Sequence, residues 1–200
     1  MEHGVFDLAR LEQFMPSLVD GRPTNSGHRT PAVIVEMSMD GISADVIRAN
    51  RWHFRQILTR GVHGILRCHA ENPEAVKDFV EVCRTLFRRT VLIPTSKLGD
   101  MVLSGNRRQR RFGLSVQEYL DKADPWPLGE LLLGLNIENQ RALQNAEMTA
   151  QVPGIAFAEW SPSDMSMSFD YRSLLNPQPA EMVEARNRVF SPVNPLASLF

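Results

Sequence analysis

Cysteine, net charge and long apolar runs are all scarce in this 200-residue sequence, and each shortage excludes something. Two cysteines, Cys68 and Cys83, are too few for a disulfide framework, and no CxxC pair offers a zinc site. A reducing compartment fits that usage. A formal charge of -1 leaves no global field to draw the chain toward nucleic acid or anionic lipid. No apolar run approaches the roughly 18 to 20 residues that span a bilayer, and MEHGVFDLAR lacks the basic-then-apolar layout of a signal peptide. The expectation is a cytoplasmic protein with neither membrane nor nucleic-acid partners. What is present is 43% hydrophobic residues, enough for one sizeable core, in a length suited to a single domain over 1–200.

Hydrophobic periodicity alternates along the chain. Leu8, Leu11, Met15 and Leu18 recur at helical steps and stop near Gly21. AVIV at 32–35 is a short β-branched run, followed by a helical stretch over roughly 43–59 that Gly61 closes. GILRC reads as the next strand. Asn72-Pro73-Glu74 then supplies an N-cap, a proline at the first helical position and an early acid before AVKDFVEVCRTLF. LLLGLNI at 131–137, the helical RALQNAEMTAQ and the strand GIAFAEW continue the pattern, and PAEMVEARNRVF is a last helix. Strands alternating with helices of this length predict parallel βα units and an α/β fold. An irregular excursion loop at about 88–129, holding a short helical SVQEYLDKA, interrupts them.

Each strand hands over to a polar residue at its C-terminal end: Glu36, His69 with Glu71, Glu138, and Asp164 after GIAFAEW. That end carries the ligand sites of parallel α/β folds, because the βα loops vary while the strands stay packed. Glu138 and Asp164 follow consecutive apolar strands, and neighbouring strands lie about 4.8 Å apart. Two carboxylates with room for water suit magnesium or manganese better than zinc or calcium. The bland alternative makes each an N-cap or first-turn acid stabilised by the helix dipole.

IENQRALQN followed by VPGIAFAEWSPSDMSMSFDY resembles the closing portion of the HpcH/HpaI aldolase family, the metal-dependent, citrate-lyase-like pyruvate aldolases. Glu138 and Asp164 stand 26 residues apart, as the family's metal-binding Glu and Asp do. MEHG is similar to the family segment that carries the catalytic histidine, here His3. The resemblance implies a (β/α)8 TIM-type barrel in which Glu138 and Asp164 bind Mg²⁺ (or Mn²⁺ or Co²⁺). Such an ion stabilises the enolate of a 2-oxo acid during aldol cleavage or oxaloacetate-type decarboxylation. It also implies His3 as proton shuttle, Asn136 as a polar neighbour of the metal, and the turn of Ser161, Pro162 and Ser163 as holder of the substrate carboxylate. Homo-oligomers are the family habit.

The departures set up a rival expectation. Ser161 and Asp170 stand where the family has glycine, and Val35 aligns with its substrate-binding arginine. The chain supplies only what correspond to strands three to six, so it reads as a partial barrel, cut from a longer parent or mis-spliced. The alternative function is therefore a catalytically inactive barrel fragment with a structural or interaction role. NRRQRR at 106–111 reads as a solvated loop rather than a nucleic-acid patch. His28, His53, His63 and His69 share no ligand spacing, Cys68 reads as an inert buried thiol, and Trp160, Met165 and Met167 as packing around the turn.

Overall fold

The computed structural model describes residues 4–21, 23–27, 30–37, 39–91, 125 and 128–190. His3, NRRQRR and SVQEYLDKA lie outside them. Helix α1 (Leu8–Asp20) starts at Asp7, whose carboxylate accepts the Arg10 N–H at 2.9 Å. Strand β1 is Ile34–Glu36, and β2 is Gly64–Arg67. Between them the expected helix over 43–59 is two helices, α2 (Ala44–Ala49) and α3 (Arg51–Leu58). The break is Asn50, whose side-chain amide donates to the Val46 carbonyl at 2.9 Å while its backbone leaves the helical region. An asparagine side chain competes with the helix for its own backbone groups. The same residue type divides RALQNAEMTAQ into α5 (Gln140–Gln144) and α6 (Ala146–Ala150) at Asn145, whose amide is drawn off to the Glu71 carbonyl at 2.8 Å.

Helix α4 (Pro73–Val91) opens as its sequence signals, with Asn72 Oδ1 accepting the Glu74 N–H at 2.8 Å. It runs on into residues expected to begin the excursion loop. Strands β3 (Leu132–Ile137) and β4 (Phe157–Trp160), then α7 (Pro162–Ser168) and α8 (Ala180–Val189), complete the described elements. Among the described residues no helix is long and apolar enough to cross a membrane.

The four strands are parallel and lie in the order β1-β2-β3-β4, so each crossover steps to the next position without reversal. A doubly wound sheet reverses its order at a switch point, whereas a barrel winds one way. The register aligns Val35 with Ile65, Ile65 with Leu133, and Leu135 with Ala158. These side chains point to the helix side, where they join Phe54, Ile57, Val76, Phe79 and Met165 in the main core. The Phe54 and Phe79 rings, 5.4 Å apart, tie α3 to α4, a contact worth about 0.5–1.5 kcal/mol beyond its buried area.

The opposite face of the sheet changes character along the strands. At the N-terminal end it holds a small apolar cluster of Leu66, Ala156 and Phe157, with Leu132 against it. Gly134 makes room there for the Phe157 ring, since a Cβ at 134 would stand 2.1 Å from a ring carbon. On the same face Glu36 ends β1 level with Leu66, and one pleat further on stand Asn136 and Glu159. The sheet thus delivers polar groups only where the strands end.

Candidate functional site at the C-terminal ends of the strands

Glu138 leaves β3 directly after Ile137 and is 2% exposed. Its Oε1 accepts the backbone N–H of His69 at 2.5 Å, and its Oε2 accepts the side-chain amide of Asn136 at 2.7 Å. The Asn136 nitrogen also stands 3.4 Å from Glu36 Oε1, so one amide joins the acids that end β1 and β3. With that nitrogen facing two carboxylates, Asn136 Oδ1 points elsewhere and is buried without a hydrogen-bond partner among the described residues. Cys68 closes the group from β2, its Sγ lying 3.7 Å from Glu36 Oε1 and 3.5 Å from the Met37 carbonyl.

His69 is brought to the same place. Its backbone is left-handed, φ 50°, a conformation that non-glycine residues adopt rarely and that clusters at functional positions. Asn139 determines the ring's tautomer. Its Oδ1 is committed to the Ala142 N–H at 2.8 Å, capping α5, so its Nδ2 is the donor that faces His69 Nδ1 at 3.2 Å. In the neutral ring Nδ1 then accepts and Nε2 carries the proton, directed at Asp40 Oδ1 3.3 Å away. The sequence makes His69, with Glu71, a strand-end residue able to touch the site, while favouring a structural or outer role for it. The signal that finds it is the register, which brings the residues after β2 and β3 side by side.

The expected pair is only partly assembled. Ile137 pairs with Trp160, so Glu138 and Ser161 leave adjacent strands at the same level, and Asp164 lies three residues on, in the first turn of α7. The Ser161 hydroxyl donates to Asp164. Gln140 holds the C-terminal end of α7 from the β3 side, its N–H donating to Ser168 Oγ at 3.0 Å and its side-chain amide to the Ser168 carbonyl. Pro162 occupies the start of α7 and has no N–H, so within the Ser161–Ser163 turn only the serines keep backbone donors. Ser161 has φ -102°, an ordinary extended conformation, and a glycine is not required there.

Position 170 is different. Asp170 has φ 64°, and the bonds from Tyr171 N–H to the Ser166 carbonyl (2.9 Å) and from Asp170 N–H to the Met167 carbonyl (3.0 Å) form a Schellman stop. Glycine is the natural occupant of that position. Asp170→Gly is expected to stabilise the fold by about 0.5–1 kcal/mol, which a thermal melt reads as a rise of about 1–4 °C.

Val35 does not address the site. It is 6% exposed and packs in the helix-side core, while its neighbour Glu36 turns inward. Where the resemblance calls for an arginine, the site thus receives a carboxylate. Of the remaining histidines, His63 accepts the Val33 N–H on Nδ1 at 2.9 Å, and His53 packs between Phe6 and Trp52. Burial lowers the pKa of both, as suits neutral structural rings. Met165 is buried in the core, as expected, but Met167 is exposed.

Among the described residues no group of three or more His, Cys, Asp or Glu side chains gathers as a structural zinc or all-protein calcium site requires. What the strand ends offer instead are hard oxygens, the Glu138 carboxylate after β3 and, one strand over, Asp164, which accepts the Ser161 hydroxyl. This set fits an ion that takes one or two carboxylates and keeps several waters, as Mg²⁺ does.

No family model matches the chain, and no curated protein matches it. Solved structures do. The HpcH/HpaI aldolase of Desulfitobacterium hafniense is 16% identical, with TM-score 0.66, over 98% of this chain and 62% of its own. An HpcH/HpaI aldolase/citrate lyase family protein of Burkholderia cenocepacia is 15% identical, TM-score 0.55, over 96% and 73%. Macrophomate synthase is 18% identical, TM-score 0.59, over 98% and 59%. The chain therefore spans less than two thirds of the first and last of these, and it shares with them a barrel-type α/β fold.

Proposed function

From a fold shared with the HpcH/HpaI aldolases, we propose that this chain is a divalent-metal-dependent carbon–carbon lyase acting on a 2-oxo acid, by aldol cleavage or oxaloacetate-type decarboxylation. The observation that carries the reading is Glu138: a carboxylate 2% exposed at a strand end, held by the His69 N–H and the Asn136 amide.

Glu138 and Asp164 would hold Mg²⁺, Mn²⁺ or Co²⁺. The chemistry such an ion supplies when bound is Lewis-acid stabilisation of charge developing on the substrate's 2-oxo and carboxylate oxygens. Asn136 orients Glu138. The Ser161 and Ser163 N–H groups meet the substrate carboxylate, and Ser161 positions Asp164. His3 is the proton shuttle by resemblance, and His69, with its proton on the Asp40 side, lies beside Glu138.

The second reading, a catalytically inactive relative, is favoured by Glu36, which adds negative charge where an anionic substrate has to dock. A thermal melt with Mg²⁺, with oxalate as an enolate mimic, and with both together separates the two, because a ligand of the native state raises its stability by mass action. The expected result is a rise with Mg²⁺ and oxalate together that exceeds either alone. A melt indifferent to the combination supports the inactive reading.

A further inference from the structure

Residues 4–7 lead the chain into α1, and their backbone bonds are local ones. The Asp7 N–H donates to the Val5 carbonyl at 2.8 Å, and the Leu11 N–H to the Asp7 carbonyl at 3.1 Å, while Val5 is 85% exposed. Phe6 is the segment's apolar anchor, partly buried against the main core. It precedes the N-cap Asp7, a position from which an apolar side chain sets the angle at which the chain enters a helix. Its ring meets two rings at the start of α3, with centroids 4.9 Å away at His53 and 6.4 Å away at Trp52. The His53 and Trp52 rings are themselves 3.7 Å apart, so the imidazole is the middle member of the three.

Of these rings only His53 changes charge near neutral pH. Its Nδ1 is buried without a hydrogen-bond partner among the described residues. An imidazolium carries a proton on each nitrogen, and no acceptor waits for the one on Nδ1. The charged groups of the adjoining elements supply no counter-ion. Asp7 pairs with Arg10 at 3.2 Å, Glu12 with Arg60 at 3.7 Å, and Asp45 and Asp78 with Arg48 at 3.4 and 2.7 Å. Arg51 and Arg55 on α3 itself are exposed cations, and Asp20 stands exposed at the far end of α1. The Trp52 face favours a cation. Burial outweighs it and holds the His53 pKa below its ordinary 6.5.

We infer that His53 makes the docking of the N-terminal segment sensitive to pH: Phe6 rests on the neutral ring, and the protonated ring holds it less well. By linkage, a histidine whose pKa is lower when covered keeps the contact at full strength above pH 6.5 and loses it as pH falls from there toward the lowered value. His3, the proton shuttle by resemblance, lies three residues before Phe6, so the same titration bears on how that residue is held. The inference stands or falls apart from the lyase reading.

The test is NMR of the full chain across about pH 5 to 8, following the ring Cε1–H signals of the five histidines and the backbone amide of Phe6. His53 is identified by the ring signal that disappears in His53→Phe. Its wild-type midpoint is expected below 6.5, with the Phe6 amide following it. Phe6→Ala, which uncovers the ring, should raise that midpoint toward 6.5, because docking and proton binding oppose each other reciprocally. His53→Phe, which keeps a ring but not the titration, should leave the Phe6 amide constant through the range. If His53→Phe does not fold, a histidine midpoint that rises in Phe6→Ala decides by itself. A wild-type His53 midpoint at or above 6.5, a midpoint unmoved by Phe6→Ala, or a Phe6 amide that titrates unchanged in His53→Phe overturns the assignment.

Discussion

Glu138→Gln should lower metal-dependent release of pyruvate from oxaloacetate by at least about a hundredfold. Loss of an outer partner of a metal ligand already costs about 10- to 100-fold, and here the ligand itself loses its charge. The substitution preserves shape, so the loss is not one of volume. It does turn an amide NH₂ toward one of two donors, the His69 N–H or the Asn136 amide, that now meet carboxylate oxygens. A modest fall in Tm accompanies the activity loss for that reason. Raising Mg²⁺ or Mn²⁺ should recover part of the rate if the defect is in metal affinity. Steady-state assays across a metal titration, on protein shown by circular dichroism to be folded, decide the matter. Unchanged activity would remove Glu138 from the site and the proposed chemistry with it.

Val35→Arg is expected to cost about 4 kcal/mol or more, a fall in Tm of about 8–16 °C, and to bring no gain in activity. From the sequence the opposite outcome is attractive, since the substitution returns an arginine to the aligned position. The pleat defeats it. Val35 pairs with Ile65 on the helix side, against a continuous apolar core, so a guanidinium there is buried without an acid to meet it. The inward position on β1 is 36. A Val35→Arg protein that melts like the wild type and turns over faster would show that β1 is registered one residue away from where it lies here.

That one-residue question marks the limit of what the sequence tells. The alternation of β-branched runs with helical periods is legible because each run is short, apolar and bounded by glycine, proline or asparagine, and all four strands lie where those runs are. Their edges drift: GIAFAEW contributes only Phe157–Trp160, and β1 extends one residue beyond AVIV. In β1 the exposed Ile34 and the buried Val35 are both apolar, so the run has no period-two contrast and nothing local says which face Val35 or Glu36 takes. The asparagine breaks at 50 and 145 are visible as residue types but not as breaks, because each depends on where the side-chain amide finds a partner, and Asn145 finds its own in Glu71, far away in sequence. Glu138 and Asp164 are legible as strand-end acids. Their surroundings, with His69 beside one and Ser161 on the other, exist only once the register is set.

The one-way winding of the sheet also orders its assembly in time. Strands β3 and β4 are joined by residues 138–156, β1 and β2 by 37–63, but β2 and β3 only through 68–131. Closing the longest of these loops costs about 1 kcal/mol more entropy than closing the shortest, and the more distant contact is the slower to form. The chain is thus expected to condense as two hairpin-sized halves before they join between β2 and β3. The bonds that define the site, Glu138 to the His69 N–H and Asn136 toward Glu36, all bridge that seam. This hydrogen-bonded site is then the last feature to come into existence as the polypeptide folds and the first to be lost when the two halves part.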